Sequence, residues 1–267
     1  MNWWQAIIFG VVQGVTEFLP VSSSGHLVLT EKILGFSDTD FLAFFSLLHV
    51  GTLIAVFIVM RKEIAAILRN IFGKLTWLLV IATIPAVLFT VVFSDLIKKA
   101  FGGSTMGYEF IFTGILLLAA LFVRPGKKKI ENMTWIDALL AGIGQAVAIL
   151  PAISRSGTCL AALLFRKVKR EDAIRFAFLM SIPAILGSLL LDILDIVKGD
   201  SALTPDIAVP VVIGVICAAL SGYAVMKFML KKLTRKGIAL FAAYVIVIGS
   251  FILLDQNIFH LLAWTAA

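Results

Sequence analysis

The chain has 267 residues and a mean hydropathy of +1.05; 61% of its residues are hydrophobic and only 15% are charged. Soluble domains carry about 25% charged residues, so composition excludes an ordinary soluble protein and points to an integral membrane protein. The formal net charge of +7 would suggest nucleic acid as the partner of a soluble protein; here it fits basic loops on the cytoplasmic face, and no nucleic-acid partner is expected.

The opening stretch, MNWWQAIIFG, lacks a basic n-region and a small-residue cleavage site and reads as mature sequence. Residues 3–33 are apolar but too long for one helix, and Pro, Ser and Gly break them in the middle. Then come apolar segments at about 42–60, 75–93 and 108–123, each close to the roughly 20 residues a spanning helix needs. A second broken region follows at 133–166. Three more apolar segments complete the chain, at about 172–194, 208–226 and 237–254. None shows strand alternation, so helix is predicted throughout. Each half of a broken region is too short to span, which predicts a re-entrant hairpin lining a protein cavity. Cys159 and Cys217 lie in apolar runs and predict buried thiols, with no disulfide framework. There is no C-terminal lipidation box.

The broken regions match each other at an offset of 132 residues. Trp3 meets Trp135, Gly10 meets Gly142, Gln13 meets Gln145, Ser22 meets Ser154, Ser24 meets Ser156 and Gly25 meets Gly157. Such matches are costly by chance and imply an internal duplication, 1–132 and 133–267. Segments 61–74, 124–129, 166–170 and 227–236 hold most of the 23 lysines and arginines; the alternate segments hold only Lys32, Lys98, Lys99 and Lys198. That asymmetry puts the first set in the cytoplasm. Each half then has one hairpin and three spans, an odd number, so the halves have opposite orientation and their broken tips should meet near the midplane.

Two polar islands occupy those tips. The first runs Gln13, Glu17, Ser22, Ser23, Ser24, Gly25, His26; the second runs Ser154, Arg155, Ser156, Gly157, Thr158. Ionisable groups in membrane sequence are expensive and mark function. In the second island a helix start aims free N–H groups at the tip, and Arg155 adds a planar fork suited to phosphate oxygens. The bland alternative is an arginine that snorkels or merely pairs with Glu17. In the first island Gln13 and Glu17 share a helix face, and a serine beside a histidine and a carboxylate is an activated-nucleophile constellation. Here too there are bland readings: Ser24 as a helix cap, Glu17 as a counter-ion. His49, inside a span, reads more readily as a packed or hydrogen-bonded histidine than as a functional one.

The whole chain resembles the undecaprenyl-diphosphate phosphatases, the bacitracin-resistance membrane family. QGVTE at 13–17 is similar to its acidic (E/Q)xxxE motif, and VSSSGH at 21–26 and PAISRSGT at 151–158 to its serine/histidine and PGxSRSG motifs. Gln13 stands where many members have Glu, and Ala152 where they usually have Gly. The resemblance implies hydrolysis of undecaprenyl diphosphate, a membrane lipid substrate, at the outer leaflet of the bacterial cytoplasmic membrane, assisted by Mg²⁺ or Ca²⁺.

The expectation is therefore an all-α polytopic membrane enzyme with an inverted-topology repeat, six transmembrane helices and two re-entrant hairpins. Catalysis is assigned to Glu17, Ser23, His26 and Arg155, with Ser23 the nucleophile, Glu17 and His26 the acid–base pair, and Glu17 beside the metal. Substrate binding is assigned to Gln13, Ser22, Ser24, Gly25, Ser154, Ser156, Gly157 and Thr158. The polyprenyl tail would lie in an apolar groove; the sequence does not set the oligomeric state. An inverted-repeat transporter or lipid flippase is the alternative.

Overall fold

The computed structural model describes residues 1–35, 41–93, 97, 100, 103–198, 208–262 and 264, with backbone only at 41–43 and 192–198. Lys98 and Lys99, which enter the charge asymmetry, lie outside the described residues. The described residues are helical; their nearest approach to a strand is a single bridge between Lys128 and Val168.

Both broken regions fold as pairs of short helices. The first pair is α1 (Trp3–Phe18) and α2 (Ser23–Leu34). At 16 residues α1 is about 24 Å long, short of the roughly 30 Å hydrocarbon core. The long helices between the pairs are α3 (Phe41–Val59), the short amphipathic α4 (Arg61–Arg69), α5 (Lys74–Val92) and α6 (Met106–Phe122). The second pair is α7 (Trp135–Val147) and α8 (Arg155–Phe165). The chain ends with α9 (Arg170–Lys198), α10 (Ala208–Lys232) and α11 (Arg235–Leu254). Four of these are long and apolar enough to cross a membrane, and five if α3 and α4, bent by 77°, count as one. The six apolar segments read from sequence correspond to α3, α5, α6, α9, α10 and α11. The helix α4 was not anticipated: the basic stretch 61–74 read as a loop, yet Ile64 and Ile67 of α4 pack on the core.

The two pairs start alike. Asn2 and Gln5 form a capping box on α1, and Thr134 and Asp137 form one on α7. Each box satisfies two backbone donors that a helix start leaves open. The second members begin alike as well: Ser22 accepts from the Gly25 N–H and Ser154 from the Gly157 N–H. All these positions are related by the offset of 132.

Packing also repeats. α1 lies along α10, and α7 lies along α5. Both contacts depend on a glycine. A Cβ on Gly10 would strike the Gly214 carbonyl and Cys217, and one on Gly142 would strike the Ala82 carbonyl. Small residues let helix backbones approach closely where the hydrophobic effect between helices is weak. α6 packs on α11, and α3 on α9 and α10. The main apolar core runs between them through Phe18, Val56, Met60, Phe176, Phe178 and Met226.

At the start of α7, buried Asp137 ties three segments together. It accepts from Lys128 at 2.9 Å, from Arg166 at 2.7 Å and from the Thr134 N–H at 2.7 Å. Burial pushes its carboxyl up, but the Thr134 N–H, Lys128 and Arg166 outweigh burial and hold it at about 2.

Candidate active site

The tips of the two helix pairs face each other and clasp. Ser24 Oγ donates to the Pro151 carbonyl, and Ser156 Oγ donates to the Leu19 carbonyl at 2.7 Å. These bonds are mates under the 132-residue offset. So are two close approaches. A Cβ on Gly25 would come within 3.1 Å of Ala152 and 2.6 Å of the Phe110 ring, and one on Gly157 within 3.4 Å of Pro20. Each tip therefore seats against the other through a serine and a glycine.

The clasp departs from symmetry at Ser22. Its hydroxyl also donates to the Pro151 carbonyl, at 2.8 Å, and its φ is 72°. A non-glycine residue there costs about 1–3 kcal/mol and persists only when its surroundings fix it. They do: Ser22 receives the Gly25 N–H on its side chain, and its carbonyl receives His26 Nδ1 at 2.6 Å. The second tip is held instead from α6. The Ala152 N–H donates to Glu109 Oε2 at 2.7 Å and the Ser154 N–H to Thr113 Oγ1 at 3.1 Å.

Around this clasp the catalytic candidates gather on Glu17, which is buried at the end of α1. Arg155, at the start of α8, donates to Glu17 Oε1. On Oε2, Ser23 Oγ donates at 2.5 Å and Gln13 Nε2 at 3.0 Å. His49 Nε2 on α3 stands 3.7 Å from the same oxygen. A buried carboxylate is tolerable only when paired and fully hydrogen-bonded; here both oxygens are engaged. Gln13 Oε1 is buried without a partner, as are both amide atoms of its repeat mate Gln145.

His26 turns to the Ser22 carbonyl and Tyr244, while Ser23 meets Glu17 directly. With Nδ1 on the Ser22 carbonyl, Nε2 of the neutral ring accepts from the Tyr244 hydroxyl at 2.8 Å. The imidazole stacks on Tyr244 with 5.6 Å between centroids and meets Phe110 edge-on. The residues expected to cradle anions are largely committed. Ser22, Ser24 and Ser156 donate to backbone carbonyls, Ser154 caps α8, and Thr158 Oγ1 donates to the Ser154 carbonyl at 3.0 Å.

Sequence reasoning did not single out Glu109, Thr113 or Tyr244; His49, expected as a hydrogen-bonded histidine of a span, faces the Phe45 carbonyl with Nδ1 at 3.0 Å. A lone carboxylate in the apolar run 108–123 was itself a signal for Glu109. Nothing in the sequence singled out Tyr244, whose role depends on α11 passing beside α2.

A helical membrane protein with a buried ion-paired cluster where two broken helices meet is the class that this architecture defines. Residues 6–251 match the family described as Bacitracin resistance protein BacA, and the chain belongs to that family. It is 44% identical over 257 residues to the undecaprenyl-diphosphatase of Carboxydothermus hydrogenoformans, covering 96% of this chain and 98% of the relative. It is 41% identical to undecaprenyl-diphosphatase 3 of Bacillus cereus over the same shares. The undecaprenyl-diphosphatase of Methanobrevibacter smithii, 34% identical over 279 residues, matches 96% of this chain and 98% of its own length. Family and apolar helices together make this a multi-pass membrane protein.

Proposed function

We propose that this protein hydrolyses undecaprenyl diphosphate to undecaprenyl phosphate and inorganic phosphate, recycling the lipid carrier of cell-wall synthesis. The relatives' names supply the substrate. One observation carries the mechanism: Ser23 Oγ donates to Glu17 Oε2 at 2.5 Å while Arg155 holds the other oxygen.

In this reading Glu17 takes the Ser23 proton as Oγ attacks the terminal phosphorus. The bond from that phosphorus to the bridging oxygen breaks, undecaprenyl phosphate leaves, and the phosphoryl group stays on Ser23. Water then attacks the phosphoserine, the Ser23 Oγ–P bond breaks as Glu17 returns the proton to Oγ, and phosphate is released. Arg155 turns from Glu17 to the phosphate oxygens and stabilises the charge of the transferring group. Gln13, its amide nitrogen held by Glu17, offers its free Oε1 to orient the water. His26 would serve the water step through the Tyr244 hydroxyl that its Nε2 meets at 2.8 Å. Ser22, Ser24, Ser154 and Ser156, with Gly25, Gly157 and Thr158, shape the tips so that helix N–H groups face the phosphates.

Among the described residues no three His, Cys, Asp or Glu come together, and both Glu17 oxygens are engaged. Glu17, the carboxylate at the meeting of the tips, is the residue that would hold Mg²⁺ or Ca²⁺ brought by a diphosphate. Such an ion would supply charge neutralisation.

The fold would be an inverted repeat, 1–132 and 133–267, each with a re-entrant hairpin and three spans. In that arrangement α3, α5 and α6 correspond to α9, α10 and α11. The mated caps, glycine contacts and tip clasp support it. The basic loops would face the cytoplasm and the site the outside of the bacterial inner membrane.

The test is phosphate release from undecaprenyl diphosphate by the purified protein in detergent, with acid quench to trap phosphoserine. Hydrolysis with phosphate trapped on Ser23 is expected. Lipid movement across vesicles without hydrolysis in detergent would replace this reading with a transporter.

A further inference from the structure

A second candidate site lies at the basic end of the molecule, where α6 and α8 finish and α9 and α11 begin. There a cleft of about 250 Å³ opens, rimmed by Arg124, Lys169, Arg170 and Arg235 against one carboxylate, Glu171. Its wall includes Leu121, Leu164 and Ile238.

The rim has donors to spare. Lys169 and Arg170 share Glu171, at 3.5 and 3.0 Å. Arg235 gives its guanidinium to the Leu121 and Val123 carbonyls that end α6. Arg170 Nε is buried with no hydrogen-bond partner. The rim sets four cationic side chains against a single carboxylate, so a ligand with several acceptor oxygens would be drawn to it. Arginine forks suit phosphate oxygens in particular. The aliphatic wall adds a second requirement, because a free anion gains nothing from it. An apolar groove between α6 and α8 continues in the right direction: Leu116 is one turn from Ala120, and Phe165 follows Leu164.

We propose that this cleft binds the phosphodiester headgroup of an anionic membrane phospholipid, whose acyl chains lie along the apolar face between α6 and α8. The site is separate from the cluster on Glu17 and independent of the hydrolytic reading.

The experiment uses the full chain, purified in detergent, titrated with short-chain phosphatidylglycerol and read as discrete lipid adducts by native mass spectrometry. Wild type should bind phosphatidylglycerol and not phosphatidylcholine. Each basic residue near an anionic headgroup is worth about 1 kcal/mol, or about fivefold. Arg124→Gln with Arg170→Gln should therefore weaken binding by about thirtyfold. Exposed Arg124 changed alone, which leaves the fold's hydrogen bonds untouched, should weaken it about fivefold. Lys62→Gln with Arg69→Gln on α4, outside the cleft, should change it less than about threefold. Equal losses from the α4 pair would reduce the effect to general surface charge and overturn the proposal. So would unchanged binding in Arg124→Gln, or full displacement of the lipid by millimolar inorganic phosphate, which would mark a free-anion site. None of these outcomes depends on turnover, so the hydrolytic assignment stands or falls separately.

Discussion

Ser22 and Ser23 are neighbours in sequence with the same side chain, and the structure gives them opposite duties. Ser23→Ala removes the hydroxyl that meets Glu17 at 2.5 Å. If Ser23 is the nucleophile, turnover should fall by about 10³-fold or more, at least about 4 kcal/mol in barrier. The cost to folding is smaller, at most the ~1.5–3 kcal/mol of a hydrogen bond to a charged group, because half-buried Ser23 can be replaced by water. Ser22→Ala removes an N-cap, worth about 1 kcal/mol. It also removes one of two donors to the Pro151 carbonyl, and Ser24 keeps the other. Stability should drop by about 1–2 kcal/mol while turnover stays within about tenfold. Both quantities are measurable on one preparation in detergent, by phosphate release and by thermal unfolding. The two variants should thus be close in stability and far apart in rate. Turnover within about tenfold of wild type in Ser23→Ala would refute serine attack and favour water as nucleophile.

Arg155→Lys replaces a planar fork with a point charge and should lose on the order of 10²-fold or more in kcat, while exposed Arg175→Lys on α9 is neutral; near wild-type rates for the first would remove Arg155 from phosphate handling. Tyr244→Phe deletes the donor to His26 Nε2, so kcat should fall about threefold to tenfold and its pH profile should move with little change in KM. A profile identical to wild type would show that this bond does not matter to the reaction. Gly10→Ala and Gly142→Ala should each destabilise the protein by about 1–3 kcal/mol in thermal unfolding, because the new methyl meets a neighbouring helix backbone. Gly187→Ala on α9, where a Cβ meets nothing within 4 Å, should be neutral or slightly stabilising. Asp137 has its carboxyl depressed from 3.8 to about 2. Its contribution to stability is therefore complete above about pH 4 and lost as pH falls through about 2. Asp137→Asn should flatten that part of an unfolding-against-pH curve, and an unchanged slope would show that acid sensitivity arises elsewhere.

How much of this was legible in the sequence depended on the range of the interaction. Helices, their breaks and their repeat follow from local signals: apolar runs of near-spanning length, Pro-Ser-Gly interruptions, and Trp, Gln, Ser and Gly matched at one offset. A serine cap was legible too, but not which serine: the sequence pointed to Ser24, whereas Ser22 caps α2 and Ser24 lies inside the helix. The sequence offered the pairing of Glu17 with Arg155 only as the alternative to phosphate binding by Arg155, and the structure shows that pair formed. Where each hydroxyl points was not legible. Ser22, Ser23 and Ser24 are one composition in sequence. Only the seating of Gly25 against Ala152 turns Ser22 and Ser24 to the Pro151 carbonyl and leaves Ser23 facing Glu17. The partners of His26, Glu109 and His49 were decided in the same way, by helices that pass within hydrogen-bonding reach although far apart in the chain. Chain order by itself determined that this protein lies in a membrane with polar tips on two broken helices. Tertiary packing alone decided which of those polar groups are structural clasps and which meet at Glu17, because a side chain's duty is set by the nearest unsatisfied partner, and that partner comes from another helix.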